Sequence, residues 1–221
     1  MIHTIEKILN EREVDRDGLY RGIKLLTLEL KSPSLAYDAY GLISQLYYWI
    51  GETSSGNEKL NAFEQGVIIA KEGIINFPNS VESHFWLGTN LGLVGQEKGI
   101  IASLFMVGEI EKHIKKSLEL DETYFFGAPH RALGWLLHML PSWPLSFGDN
   151  RKALQHLEKA IEFGSNFPLN YLYAGEISFA LGKKDLSSKY LQKLIDWKSD
   201  GLHDLENGKM IDRAKEILKN L

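Results

Sequence analysis

The chain has no cysteine, which excludes disulfides, thiolate metal sites and thiol nucleophiles. A charge excess is missing too: 25 Lys and Arg stand against 29 Asp and Glu, a formal net charge of -4. With no Lys/Arg cluster beyond pairs such as Lys115-Lys116, nucleic acid and anionic membrane surfaces are not expected as partners. The longest apolar run, Gly99 to Gly108, is far short of the ~20 residues that span a bilayer, so the chain reads as not membrane-spanning. The start, Met1-Ile-His-Thr-Ile-Glu-Lys-Ile-Leu-Asn10, lacks the basic start, apolar run and cleavage site of a secretory signal. The location is then either cytoplasmic or that of a mature form whose export segment has been removed. No segment alternates apolar and polar residues in a Val-, Ile- and Thr-rich way, so no sheet is expected. Gly-x-Ser-x-Gly, a phosphate-binding glycine loop and zinc-protease histidine spacing are all absent. The chain does not read as an enzyme and calls for no metal and no cofactor.

What is present is helix punctuation. Pro33, Pro129 and Pro168 each precede an apolar-periodic run, and proline fits a helix's first turn because the N–H it lacks would have no partner there. Asn79 with Glu82 reads as a capping box, and Asp149 and Asp185 as N-caps. Gly51, Gly95, Gly164 and Gly182 fall where helices should end.

An internal repeat organises these helices. A tetratricopeptide (TPR) unit is ~34 residues, two antiparallel helices with small and large residues at set places. Leu87-Gly88, Leu91 and Gly95 make one first helix, and the helix before it offers Gly66, Ala70, Gly73 and Pro78. Leu133-Gly134 and Leu137 open a third unit that Ala153, Leu157 and Ala160 close. A fourth has Ala174-Gly175, Gly182, Ser187, Leu191 and Leu194. Small residues let helix backbones approach, and large ones fill the space opposite. The predicted fold is all-α: stacked antiparallel hairpins in a TPR-like right-handed superhelix or bundle. It is a single domain over 1–221, with repeats near 35–78, 81–122, 127–164 and 168–196 and terminal helices at both ends. Extra residues at Glu52–Asn57 and Leu140–Asn150 fall in turns, and the helix between Gln96 and Leu120 is extended.

Counting from the Leu-Gly pairs, the concave wall of such a stack holds Phe85, Thr89 and Leu93, then Arg131, Trp135, His138 and Met139, then Leu172, Glu176 and Phe179. The first unit adds Gln45, Tyr48 and Trp49. The candidate ligand-binding set is Tyr48, Trp49, Phe85, Arg131, Trp135, His138 and Phe179. This wall is aromatic with few charges, which suits an apolar or amphipathic ligand, with Arg131 an anchor for a carboxylate. The other reading fills the groove with a C-terminal helix or a neighbouring subunit. Ile100, Leu104, Val107, Ile114 and Leu118 form one helical stripe, and Ile101, Phe105 and Met106 a second. Such a helix is either central in the monomer or a subunit contact or channel lining. Trp143, Leu145 and Phe147 should pack back onto the fold or cover a ligand.

Several stretches also carry a family resemblance. Phe85-Trp-Leu-Gly-Thr-Asn-Leu-Gly-Leu-Val-Gly-Gln-Glu-Lys-Gly99, Ser103-Leu-Phe105, Ile110 to Asp121, Arg131-Ala-Leu-Gly134, Pro144-Leu-Ser-Phe-Gly-Asp-Asn-Arg-Lys-Ala-Leu154 and Pro168-Leu-Asn170 resemble the T component associated with TRAP transporters (the TatT-type proteins). The likeness spans roughly 80 to 195, with Pro144–Ala153 its most specific piece. It implies four TPR-like hairpins and work with a periplasmic solute-binding P component in small-molecule uptake. It also implies a homo-oligomer, a trimer, with pores suited to hydrophobic ligands, and a periplasmic location where an export segment has been removed. The expected partner is then that solute-binding protein or a hydrophobic small molecule. The competing reading is a general protein-interaction adaptor with no small ligand. An enzyme would need a polar constellation around His130, Arg131 and His138.

Overall fold

The computed structural model describes residues 2–197 and 204–221. Among these residues the chain forms eleven α-helices and no strand beyond an isolated bridge between Ser142 and Gly148. Met1 and 198–203, part of the predicted 1–221 span, lie outside the described residues. The helices pack as two compact units, Met1–Leu120 and Asp121–Leu221.

The first unit contains α1 (Ile2–Asn10), α2 (Arg16–Glu29), α3 (Pro33–Glu52), α4 (Gly56–Asn76), α5 (Val81–Lys98) and α6 (Ile100–Leu120). The helices α3–α4 and α5–α6 form its two hairpins, and α2 packs on α3 with α1 beside it. Ile5, Ile8, Leu19 and Leu26 of α1 and α2 share a core with Ile43, Leu46 and Ile50 of α3. The second unit contains α7 (Tyr124–Met139), α8 (Asn150–Phe163), α9 (Pro168–Ala180), α10 (Lys184–Ile195) and α11 (Asp204–Leu218). Here α7–α8 and α9–α10 are the hairpins, and α11 packs on α9 and α10 around Tyr171, Leu172, Leu191, Leu194 and Ala214.

One contact recurs in three hairpins and explains the repeated glycine. A Cβ on Gly88 would lie 2.7 Å from Ile114, one on Gly134 2.2 Å from Leu157, and one on Gly175 2.4 Å from Leu191. In each case the second helix drops a large side chain onto bare backbone of the first. Leu157 and Leu191 are fully buried, so truncating either to Ala would cost about 2–5 kcal/mol.

The helix ends follow local chemistry, with small shifts from expectation. Pro33 and Pro168 stand in first turns, and Asp149 caps α8 by accepting from the amides of Arg151 and Lys152. The cap of α5 is Ser80, whose hydroxyl accepts from the Ser83 amide, and not the predicted Asn79. Asp185 lies inside the first turn of α10, after Lys183 at the cap position. In both cases the helix starts one or two residues away from where side-chain type alone would put it, because the apolar face sets the phase. The turn expected to be enlarged at Glu52–Asn57 is short, since α3 ends at Glu52 and α4 begins at Gly56. At the start of α7, Phe125, Phe126 and Gly127 are left-handed (φ 43°, 62° and 73°), and regular helix follows, with Pro129 in its first turn. Two non-glycine residues in that region hold strain of order 1–3 kcal/mol each.

For two apolar segments, exposure excludes one of the two arrangements expected of each, burial of the whole α6 helix inside the monomer and packing of the Trp143 loop back onto the fold. Ile110 and Ile114 of α6 are buried, but Ile100, Ile101, Leu104 and Phe105 are exposed, Phe105 to 86%. The first half of this helix is therefore not a core element of its unit. In the loop after α7, Trp143 and Leu145 are 85% and 83% exposed, and only Phe147 folds partly inward. The loop is pinned at its base, where Gly148 donates to the Pro141 carbonyl and Asp149 to that of Leu137. Its tip consequently points its apolar side chains outward.

Candidate functional site

The aromatic wall of the first unit is built by α3 and α5. Tyr48 meets Trp49 edge-on at 4.7 Å and lies 5.2 Å from Trp86, which in turn meets Phe85 edge-on at 4.9 Å. Tyr48 and Trp49 are half-buried. Phe85 is only 4% exposed and belongs to the interior, because the neighbouring ring of Trp86 fills the space beside it. The guanidinium of Arg12 stands 3.9 Å over the Trp49 ring and donates to the Leu9 carbonyl. A cation on an indole face is an attractive contact, so the chain brings its own cover to Trp49 from just beyond α1.

The wall of the second unit is built by α7 and α9. Trp135 stacks flat on Tyr173, centroids 4.0 Å apart and planes 15° from parallel. His138 lies 5.3 Å from Trp135, and its Nδ1 is 2.7 Å from Oδ1 of Asn150, which orients the ring. Phe179, on α9, is 37% exposed. Beside this platform stands a buried carboxylate, Glu176. Burial pushes its carboxyl up, and the Arg213 guanidinium and the more distant His138 pull the other way. Arg213 Nη2 donates to Glu176 Oε2 at 2.5 Å, and its Nε closes on Oε1 without hydrogen-bond alignment. The same guanidinium lies 5.6 Å from the Trp135 centroid. The C-terminal helix α11 thus lays one side chain across the platform.

Arg131 does not serve this wall. It is buried, donates to Asn170 Oδ1 at 2.9 Å and to the Phe126 carbonyl at 3.4 Å, and stacks over Phe167 at 4.4 Å. Asn170 donates to the carbonyls of Ala160, Gly164 and Phe126. The two side chains clamp the strained turn at the start of α7 to the end of α8. His130, Arg131 and His138 do not converge either: His130 faces His156 and Glu122, Arg131 faces Asn170, and His138 faces Asn150. A hollow of about 650 Å³ on α10 is lined by Lys189, Gln192, Lys193, Asp196 and Trp197, none of them a wall residue.

Sequence reasoning missed Arg12, Trp86, Tyr173 and Arg213. Tyr173 had a signal, an aromatic two residues before Gly175. The two arginines had none, since only packing brings the end segments onto the wall.

A family model described as TRAP transporter T-component matches residues 78–220. Among solved structures, MamA aligns at 17% identity over 93% of this chain and 96% of its own, with a TM-score of 0.53. TTC0263, a thermophilic TPR protein of Thermus thermophilus, aligns at 15% identity over 92% of this chain and 100% of its own, with a TM-score of 0.58. Likeness at this identity speaks to fold, and the fold is all-α and TPR-like. No curated protein matches the sequence.

Proposed function

We propose, from the premise that this chain belongs to the TRAP transporter T-component family, that it acts in TRAP-type uptake as a docking component. It receives the periplasmic solute-binding protein, or the apolar or amphipathic solute that protein carries. The observation that carries this reading is the exposed apolar half of α6, Ile100, Ile101, Leu104 and Phe105. An isolated exposed apolar residue needs no explanation, whereas four on two successive turns mark an interaction surface. The outward Trp143 and Leu145 supply a second such surface. A homo-oligomer, a trimer by family likeness, would also use such faces. Trp135, His138 and Phe179, with Tyr48 and Trp49 on the other unit, remain the residues proposed to meet a small solute.

Calorimetric titration with the solute-binding protein of the same transport system tests the docking role. Phe105→Asp or Trp143→Asp should weaken binding by at least about tenfold, roughly the 1.4 kcal/mol of one apolar anchor. Unchanged affinity in both variants would refute it. Native mass spectrometry with added hydrophobic ligands tests the solute. A clean apo mass throughout would leave the protein partner as the cargo-bearing species.

A second reading, a protein-interaction adaptor with no small ligand, is favoured by one observation. Trp49 and Trp135 are each covered by an arginine from the chain's own end segments. A partner captured equally with and without solute would support it.

A further inference from the structure

Four of the seven histidines form two pairs at matching places in the repeats. His84 of α5 and His130 of α7 each stand four residues before the glycine that the second helix overlies, Gly88 and Gly134. His113 of α6 and His156 of α8 each stand four residues before a buried small residue, Ser117 and Ala160. In both pairs Nδ1 lies 2.8 Å from Nδ1, with ring centroids 5.1 Å apart.

At that separation two imidazole nitrogens hold one proton between them. With none, two lone pairs face each other; with two, the N–H groups collide. The outer nitrogens fix which ring carries it. His84 Nε2 is 3.0 Å from the Pro78 carbonyl, which only accepts, so His84 is protonated at Nε2 and His113 donates from Nδ1. His130 Nε2 is 3.1 Å from a Glu122 carboxylate oxygen, so His156 donates to His130 in the same sense.

The surroundings of the two pairs differ. Lys112 and Lys116 of α6 bear on the His84–His113 pair, as does Lys71 of α4; Glu109 of α6 opposes them but is paired with Lys71 at 3.1 Å. No carboxylate is bonded to either ring among the described residues. The His130–His156 pair has the Glu122 carboxylate directly on it, and Lys159 of α8, which feels that carboxylate, is paired with Glu162. Phe163 stacks on His130.

We propose that the His84–His113 pair is an acid-sensitive latch between α5 and α6, which opens when protonation replaces its one-proton bridge with repulsion. A proton added at His113 Nε2 places a buried positive charge among lysines. One added at His84 Nδ1 removes the hydrogen bond itself. Burial lowers the basicity of both rings, that of His113 to about 4. A histidine whose folded-state value lies below its ordinary 6.5 supports the fold above pH 6.5, and that support drains as pH falls toward 4.

Urea unfolding of the full chain at steps from about pH 7.5 to about pH 4.5 tests this with His113→Asn. Asparagine places an amide N–H where Nδ1 was and does not titrate. Relative to His113→Asn, the unfolding constant of the wild type should climb by up to about tenfold per pH unit lost below about 6.5. Parallel pH profiles for the wild type and His113→Asn would overturn the proposal. Nitrogen-15 NMR of the wild-type imidazoles decides independently of whether the variant folds. Protonated His84 Nε2 and His113 Nδ1 at about pH 7.5, with loss of α5–α6 amide protection as the rings charge, supports the latch. Other tautomers, or charging with protection intact, refutes it.

Discussion

Replacing Asn170 with Ala is the sharpest test of the packing logic in the second unit. The side chain is fully buried and makes four hydrogen bonds: to the carbonyls of Ala160 (2.9 Å), Gly164 (3.1 Å) and Phe126 (3.2 Å), and from Arg131 Nη1 (2.9 Å). The Ala160 and Gly164 carbonyls keep one backbone partner each, the amides of Gly164 and Phe167. Their losses are therefore ordinary ones of about 1 kcal/mol apiece, whereas a buried cation losing its acceptor costs about 1.5–3 kcal/mol. Together Asn170→Ala should destabilise the fold by roughly 3–5 kcal/mol, read as a lower urea midpoint with an unchanged slope. Asn170→Asp sharpens the test, for it keeps the shape and the Arg131 partner but turns a lone-pair oxygen toward three carbonyls. It should cost at least as much as Ala. A loss below about 1 kcal/mol in either variant would refute the account of this node, and with it the claim that Arg131 is a clamp and not a ligand anchor.

Further outcomes follow from other contacts. Gly134→Ala puts a methyl 2.2 Å from Leu157 and 2.9 Å from the Ala153 carbonyl, and should cost about 1–3 kcal/mol in chemical denaturation. Arg213→Ala leaves the buried Glu176 carboxylate unpaired and should destabilise by about 2 kcal/mol. Because burial raises the Glu176 carboxyl, its stabilising contribution is present at acid pH and lost as pH rises through the folded-state value. Glu176→Gln should thus be at least as stable as the wild type at about pH 8, by thermal melting. Asp149 is held low by the Lys152 and Arg151 amides, so its capping of α8 is present above its ordinary 3.8 and fades as pH falls through its lowered value; Asp149→Ala should abolish that acid sensitivity. Trp143→Ala, at an 85% exposed tip, should leave free-protein stability within about 0.5 kcal/mol.

Much of the scaffold was legible because repeat structure is written in short-range terms. The glycines at 88, 134 and 175, the prolines at 33 and 168 and the Asp149 cap each act within one hairpin, and each stands where its local role required. Of the proposed wall residues, Trp135 and His138 stand together, while Phe85 and Arg131 are interior, since position along a helix does not say how deep a neighbour sits over it.

The order of residues alone settled that this chain is a row of helix hairpins, because the apolar period and the small-residue spacing are properties of each helix by itself. Three-dimensional packing decided which faces are covered. Arg12 and Arg213 reach indoles 37 and 78 residues away in the chain, the histidines find each other between the two helices of a hairpin, and half of α6 is left bare. Periodicity records that a face is apolar but carries no information about what, if anything, comes to rest on it.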